Sequence, residues 1–167
     1  MIDLHCHSLF SDGTDAPEAL PALGEAAGLS ALALTDHDTV DGLSRFLAQQ
    51  PSVKVRLLVG TELSCHFMGK SLHVLGLLVD PGDATFGARL KELRSRREDR
   101  NTRLLARLGE LGFPLSHEAV QAEADSPLLS RVHVAKALVA QGWFRTMQGA
   151  FSSLLGDGKP GCVPREE

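Results

Sequence analysis

The segment from Asp3 to Asp15, DLHCHSLFSDGTD, holds two histidines and three aspartates. If it opens as a strand, alternate side chains share a face, so Asp3, His5 and His7 point one way while Leu4 and Cys6 pack on the other. His-x-His on a strand is a two-nitrogen clamp, and the turn SDGTD carries Asp12 back over the end of that strand. A second cluster, TDHDT, exposes His37 between Asp36 and Asp38. Glu62 ends a third apolar run in GTE, and His73 enters a fourth in SLHVLG. Four imidazoles and two carboxylates with no thiolate suit Zn, Mn or Fe(II) and are too rich in nitrogen for Ca or Mg. They exceed what one ion takes from protein, so the set predicts at least two metals. Such an arrangement activates water and clamps the oxygens of a phosphoryl group during hydrolysis. His66, in an expected turn, and His117, in the first turn of an exposed-looking helix, read as solvated side chains.

The elements that must position these residues are α/β. The runs MIDLHCH, LSALALTD, VKVRLLVGTEL and LHVLGLLV are apolar on both faces, as parallel strands buried between layers are. Between the first two lies DAPEALPALGEAAG, with Asp15 and Glu18 in capping-box spacing and Gly28 as a stop. Pro21 predicts a helix that kinks or starts late. A short helix, DGLSRFLAQQ, precedes the third strand, and the fourth follows as a hairpin or close return. Ligands in such sheets bind at the carboxyl ends of parallel strands, where these His, Asp and Glu residues fall. From Ala84 to about Gly112 one long helix is expected, its stripe running through Phe86, Leu90, Leu93, Leu104, Leu108 and Leu111. Arg97 and Asn101 occupy that stripe where apolar residues were due. Shorter helices should open at Ser116 and near Ser130, and a last one should be closed by Gly156. The organisation read from this is residues 1–81 as the sheet-bearing part, 82–156 as an all-helical insertion and 157–167 as a return segment.

Composition limits the partners. The 167 residues, 43% hydrophobic and 23% charged, describe an ordinary globular chain without an apolar run long enough to span a membrane, and no export signal is visible. A cytoplasmic home is the default expectation. Cys6, Cys65 and Cys162 are odd in number and far apart, and so read as reduced. The net charge of -4 disfavours duplex nucleic acid, yet Arg89 to Arg107 holds eight basic and three acidic residues. For Arg89, Lys91, Arg94 and Arg107 a solvated helix face is the expectation.

DLHCHSLFSDGT, ALTDHDTVDG, GTELS and LHVLGL resemble the first motifs of the polymerase-and-histidinol-phosphatase (PHP) phosphoesterases. RREDRN and SRVHVAKAL resemble the branch containing 3',5'-nucleoside bisphosphate phosphatases and a 5'-to-3' exoribonuclease. The resemblance implies the N-terminal part of a distorted (β/α)7 barrel with a helical insertion, and two or three divalent ions (Mn, Zn or Fe) around a bridging hydroxide. It pairs His5, His7 and Glu62 on one metal, Glu62 and His73 on a second, and Asp12 and His37 on a third. It also implies that Arg97, Arg100, Asn101, Arg131 and His133 hold the phosphate that is not cleaved. The implied substrate is a 3',5'-bisphosphorylated nucleoside and also short RNA 5' ends. The alternatives are a histidinol-phosphatase-like activity or a non-catalytic fragment binding nucleotide or a partner. The chain stops at GKPGCVPREE, before the His-Pro and Asp-x-His motifs the family carries, so the expectation is an N-terminal portion or truncated chain in which each metal lacks a ligand.

Overall fold

The computed structural model describes residues 1–68, 70–124 and 128–164. The last residues of the expected return segment, 165–167, lie outside them. The chain divides into two compact units, Met1–Arg94 and Ser95–Glu167, each with its own core.

In the first unit, β1 (Ile2–Cys6), β2 (Ala31–Leu34), β3 (Arg56–Phe67) and β4 (Lys70–Leu77) form one sheet in the order β1-β2-β3-β4. The first three strands are parallel, and β4 returns antiparallel to β3. β2 is central and buried at all four positions, as its sequence ALAL requires. The edge strands depart from the expectation of burial on both faces. Ile2 and Leu4 on β1 and Leu72 and Val74 on β4 are exposed, and only Cys6 of the far face of β1 packs against the core. That core is built from Leu20, Leu32, Leu34, Leu43, Phe46, Val55 and Leu57.

Helix α1 (Leu20–Ala26) starts late, with Ala19 at its N-cap and Pro21 in its first turn. A proline there loses nothing, because the first helical N-H groups have no intrahelical partner. The Asp15/Glu18 spacing is therefore not used as a capping box, and Glu18 pairs with Arg45 of α2 (Leu43–Leu47) instead. β3 is longer than expected. It pairs with β2 from Arg56 to Val59 and then with β4 from Gly60 to Phe67. Glu62 consequently lies within the strand rather than at its end, and His66 is a strand residue opposite Ser71 rather than part of a turn.

The long helix α3 (Ala84–Glu110) begins in the first unit and continues into the second. Its stripe is buried at Leu90, Arg97, Asn101, Leu104 and Leu108. In the second unit, α4 (His117–Gln121), α5 (Arg131–Ala140) and α6 (Met147–Ala150) are capped by the side chains of Ser116, Ser130 and Thr146. A π-turn over Phe151–Leu155 follows. Leu104, Leu108, Val120, Val134, Leu138 and Leu155 form the core of this all-helical unit. Among the described residues no helix is long and apolar enough to cross a membrane.

Candidate metal centre

The loop after β2 prolongs the parallel ladder beyond the strand itself. The Glu62 N-H donates to the Asp36 carbonyl (3.1 Å), the Asp38 N-H donates to the Glu62 carbonyl (3.0 Å), and the Thr61 hydroxyl donates to the Asp36 carbonyl (3.0 Å). Asp38 then turns the chain away at φ 52°, and its carboxylate accepts the Ser64 N-H at 2.7 Å. Asp and Asn tolerate this left-handed conformation better than other side chains. His37 is thereby held against Glu62, and it is buried at 9% exposure rather than exposed as expected. β4 runs antiparallel, so its early residues lie beside the later part of β3. His73 stands opposite Ser64, two residues from Glu62 and on the same face.

These elements deliver all six expected ligand residues to one cluster. Glu62 Oε2 lies 2.8 Å from His5 Nε2, 3.0 Å from His7 Nε2 and 3.5 Å from His37 Nδ1, while Glu62 Oε1 lies 2.7 Å from His73 Nδ1. His5 Nε2 and His7 Nε2 are 3.1 Å apart. Asp12 stands 3.6 Å from both His7 Nδ1 and His37 Nε2. Three sets have donor atoms mutually within 4.8 Å: His5, His7 and Glu62; His7, Asp12 and His37; and His37, Glu62 and His73. Donors bound about 2.1 Å from one first-row divalent ion stand roughly 3 Å from each other, and the first set meets that spacing. The unprotonated nitrogens of neutral imidazoles and the oxygens of a carboxylate are lone-pair donors, and a cation among them satisfies several at once. His37 Nδ1 is buried and makes no hydrogen bond to any described residue. The residues fit divalent metal.

Electrostatics agree with the ligand form. Burial and the charge of His37 hold the His7 imidazole below its ordinary 6.5, which keeps its lone pair free. Burial raises Glu62, but the hydrogen bond with His5 and the charges of His37, His73 and His7 outweigh it, so the carboxyl lies below its usual range. The Cys6 thiol is pushed up to about 12 by burial, Asp3 and Asp36, and it donates to the Ala33 carbonyl. Cys6 is thus a small buried side chain, not a thiolate ligand.

Several residues that organise the centre went unassigned in the sequence reading. Asp36, 2% exposed, accepts the Ser8 N-H (2.8 Å), the Ser8 hydroxyl (2.6 Å) and the Ser11 hydroxyl (2.6 Å), tying the turn after β1 to the end of β2. Gly13 lets that turn close: a Cβ there would sit 2.3 Å from the His7 carbonyl oxygen. Arg94, expected on a solvated face, instead donates to Thr39 (3.1 Å), the last residue of TDHDT, and to Asp41 (2.6 Å) just after it. Spacing alone does not separate these residues from ordinary turn chemistry or a solvated helix face.

In the second unit, Arg97, Arg100 and Asn101 are buried on α3 at 8%, 6% and 6% exposure. The Asn101 amide donates to the Leu129 carbonyl at 2.9 Å, and its Oδ1 has no hydrogen-bond partner among the described residues. His133 accepts the Ser130 N-H on Nδ1 (3.1 Å), completing the capping box of α5. Arg131 donates to Asp157 at 2.8 Å and to the Leu155 carbonyl at 3.2 Å.

The chain is similar over nearly its whole length to known proteins. It is 34% identical over 164 residues to a 5'-3' exoribonuclease of Haemophilus influenzae, covering 98% of this chain and 60% of that protein. It is 34% identical over 166 residues to a 3',5'-nucleoside bisphosphate phosphatase of Chromobacterium violaceum, covering 99% of this chain and 58% of that one. A solved structure of an amidohydrolase from Chromobacterium violaceum, with bound sulfate and no metal, superposes with a TM-score of 0.89 at 34% identity over 97% of this chain and 57% of that one. The chain therefore spans about 60% of the length of the relatives it matches. The PHP domain family matches residues 3–126, and with the partial barrel and the histidine-carboxylate cluster this establishes that the chain belongs to the PHP domain family.

Proposed function

We propose that this chain carries the metal centre and phosphate grip of a metal-dependent phosphoesterase acting on 3',5'-bisphosphorylated nucleosides and on short RNA 5' ends. The observation that carries the reading is the convergence of His5 Nε2, His7 Nε2 and Glu62 Oε2 within 3.1 Å of one another. His5, His7, Asp12, His37, Glu62 and His73 would hold two or three divalent ions of the Mn, Zn or Fe class. When bound, such ions acidify a water for attack on phosphorus and neutralise the phosphoryl oxygens. The chain's own residues supply position. Glu62 offers one oxygen to His5, His7 and His37 and the other to His73, so a single buried carboxylate couples the sets.

Arg97, Arg100 and Asn101 are proposed to grip the phosphate that stays on the nucleoside. Guanidinium forks match phosphate geometry, and Arg97, Arg100 and Asn101 are buried together on one helix, α3. Arg131 and His133 belong to the same proposal, Arg131 with a carboxylate partner of its own in Asp157. Histidinol phosphate carries no second phosphate for these arginines.

The test is metal content of the purified chain by elemental analysis after exposure to Mn and Zn, followed by phosphate release in the full-length protein. Retention of two or more ions per chain is expected, and no retained metal would refute the reading for this chain. Arg97→Ala should lower the preference for a bisphosphate over a monophosphate. An unchanged ratio removes Arg97 from the grip.

A further inference from the structure

A histidine that ligates a metal is neutral and carries one N-H, and the partner of that N-H decides which nitrogen is free. His7 has two directions open to it. Its Nε2 faces His5 Nε2 and Glu62, while its Nδ1 faces Ser11 Oγ at 3.2 Å and Asp12 at 3.6 Å. The hydroxyl of Ser11 settles the choice. Ser11 Oγ lies 2.6 Å from Asp36 Oδ1, whose two oxygens also accept from the Ser8 N-H and the Ser8 hydroxyl. With three donors converging on one carboxylate, Asp36 is the acceptor in each bond, and the single hydroxyl proton of Ser11 points at it. What Ser11 presents to His7 is a lone pair. Ser8 and Ser11 are buried at 0% and 2% exposure, so water does not compete for these bonds.

We propose that Asp36 and Ser11 form a positioning relay that fixes His7 as the Nδ1-H tautomer. His7 then offers Nε2 to the ion shared with His5 and Glu62, and is withheld from the set containing Asp12 and His37. The relay starts at the residue immediately before His37, so the end of β2 sets both the position of one ligand and the protonation of another.

The relay rests on reading the cluster as a metal centre, and two measurements on the 167-residue chain separate the claims. Long-range proton-nitrogen correlation spectra of the metal-free, ¹⁵N-labelled chain, at a pH where imidazoles are neutral, read the tautomer directly. Calorimetric titration with zinc reads affinity. The wild-type chain should show His7 protonated at Nδ1. Ser11→Ala should mix the tautomers and weaken zinc by about 10- to 100-fold, the range for losing an outer partner of a ligand. Asp36→Asn keeps an oxygen for Ser11 and should retain the tautomer. A wild-type His7 protonated at Nε2, an unchanged tautomer in Ser11→Ala, or a lost tautomer in Asp36→Asn would each overturn the relay. A chain with the expected tautomer and no zinc binding would uphold the relay and refute the metal-centre reading.

Discussion

Replacing Asp38 separates two contributions that the structure superimposes at one residue. Its backbone sits at φ 52°, its side chain is buried, and its carboxylate accepts the N-H of the half-buried Ser64 at 2.7 Å. Alanine loses both advantages: a left-handed conformation costs an ordinary residue about 1–2 kcal/mol, and a hydrogen bond to a charged group contributes about 1.5–3 kcal/mol. Allowing for incomplete additivity, Asp38→Ala should cost about 2–4 kcal/mol. Asp38→Gly removes the strain but not the lost acceptor and should cost about 1–3 kcal/mol. Asp38→Asn keeps an acceptor and tolerates the conformation, so its cost should stay within about 1 kcal/mol. Urea denaturation followed by far-ultraviolet circular dichroism gives the three values. Equal destabilisation by Asn and Ala would refute the argument, because it would mean that neither the backbone angle nor the acceptor carries the effect.

Glu62→Gln preserves shape but removes the charge shared by four imidazoles, and should weaken Mn or Zn binding by more than about 100-fold in a calorimetric titration; wild-type affinity would exclude Glu62 as a shared ligand. Gly13→Ala places a Cβ against the His7 carbonyl, and the forced shift of the turn should cost about 1–3 kcal/mol in thermal or urea unfolding, with reduced metal affinity because Asp12 moves with it. Stability of the metal-free chain should fall as pH drops. His7 has its folded value below 6.5 and Glu62 below 4.5, so in each window beneath those values the unfolded chain holds more protons than the folded one. The loss should begin below about 6.5 from His7 and deepen below about 4.5 from Glu62, and a unfolding midpoint flat from neutral to acidic pH would contradict both assignments.

The candidate ligand set was legible because its pattern is local. His-x-His on a strand and a carboxylate in the following turn need only the two-residue period of a strand to be read, and the buried stripe of α3 needs only helical spacing to mark Arg97 and Asn101 as out of place. What escaped depends on pairing between distant segments. That β3 changes partner at Gly60 and continues to Phe67 is fixed by β4, so the place of Glu62 within the strand and of His66 outside a turn could not be read from either run alone. The burial of His37 follows from the same pairing, because the loop residues around it extend the ladder on β3. Asp36 and Arg94 had no local signature, since their partners lie in other elements.

The change of partner along β3 also orders the assembly of the centre in time. The β3-β4 hairpin joins neighbouring stretches of chain, and such hairpins form in about 1–10 μs, bringing Glu62 and His73 together early. His5 is 57 residues from Glu62, and docking β1 must wait for the slower, long-range closure of the parallel sheet. In a complete chain refolding from the unfolded state, the carboxylate-imidazole pair is expected to form before the His-x-His strand docks. A divalent ion captured there would favour the arrival of β1, making metal availability a determinant of how fast, and not only how firmly, this unit reaches its native state.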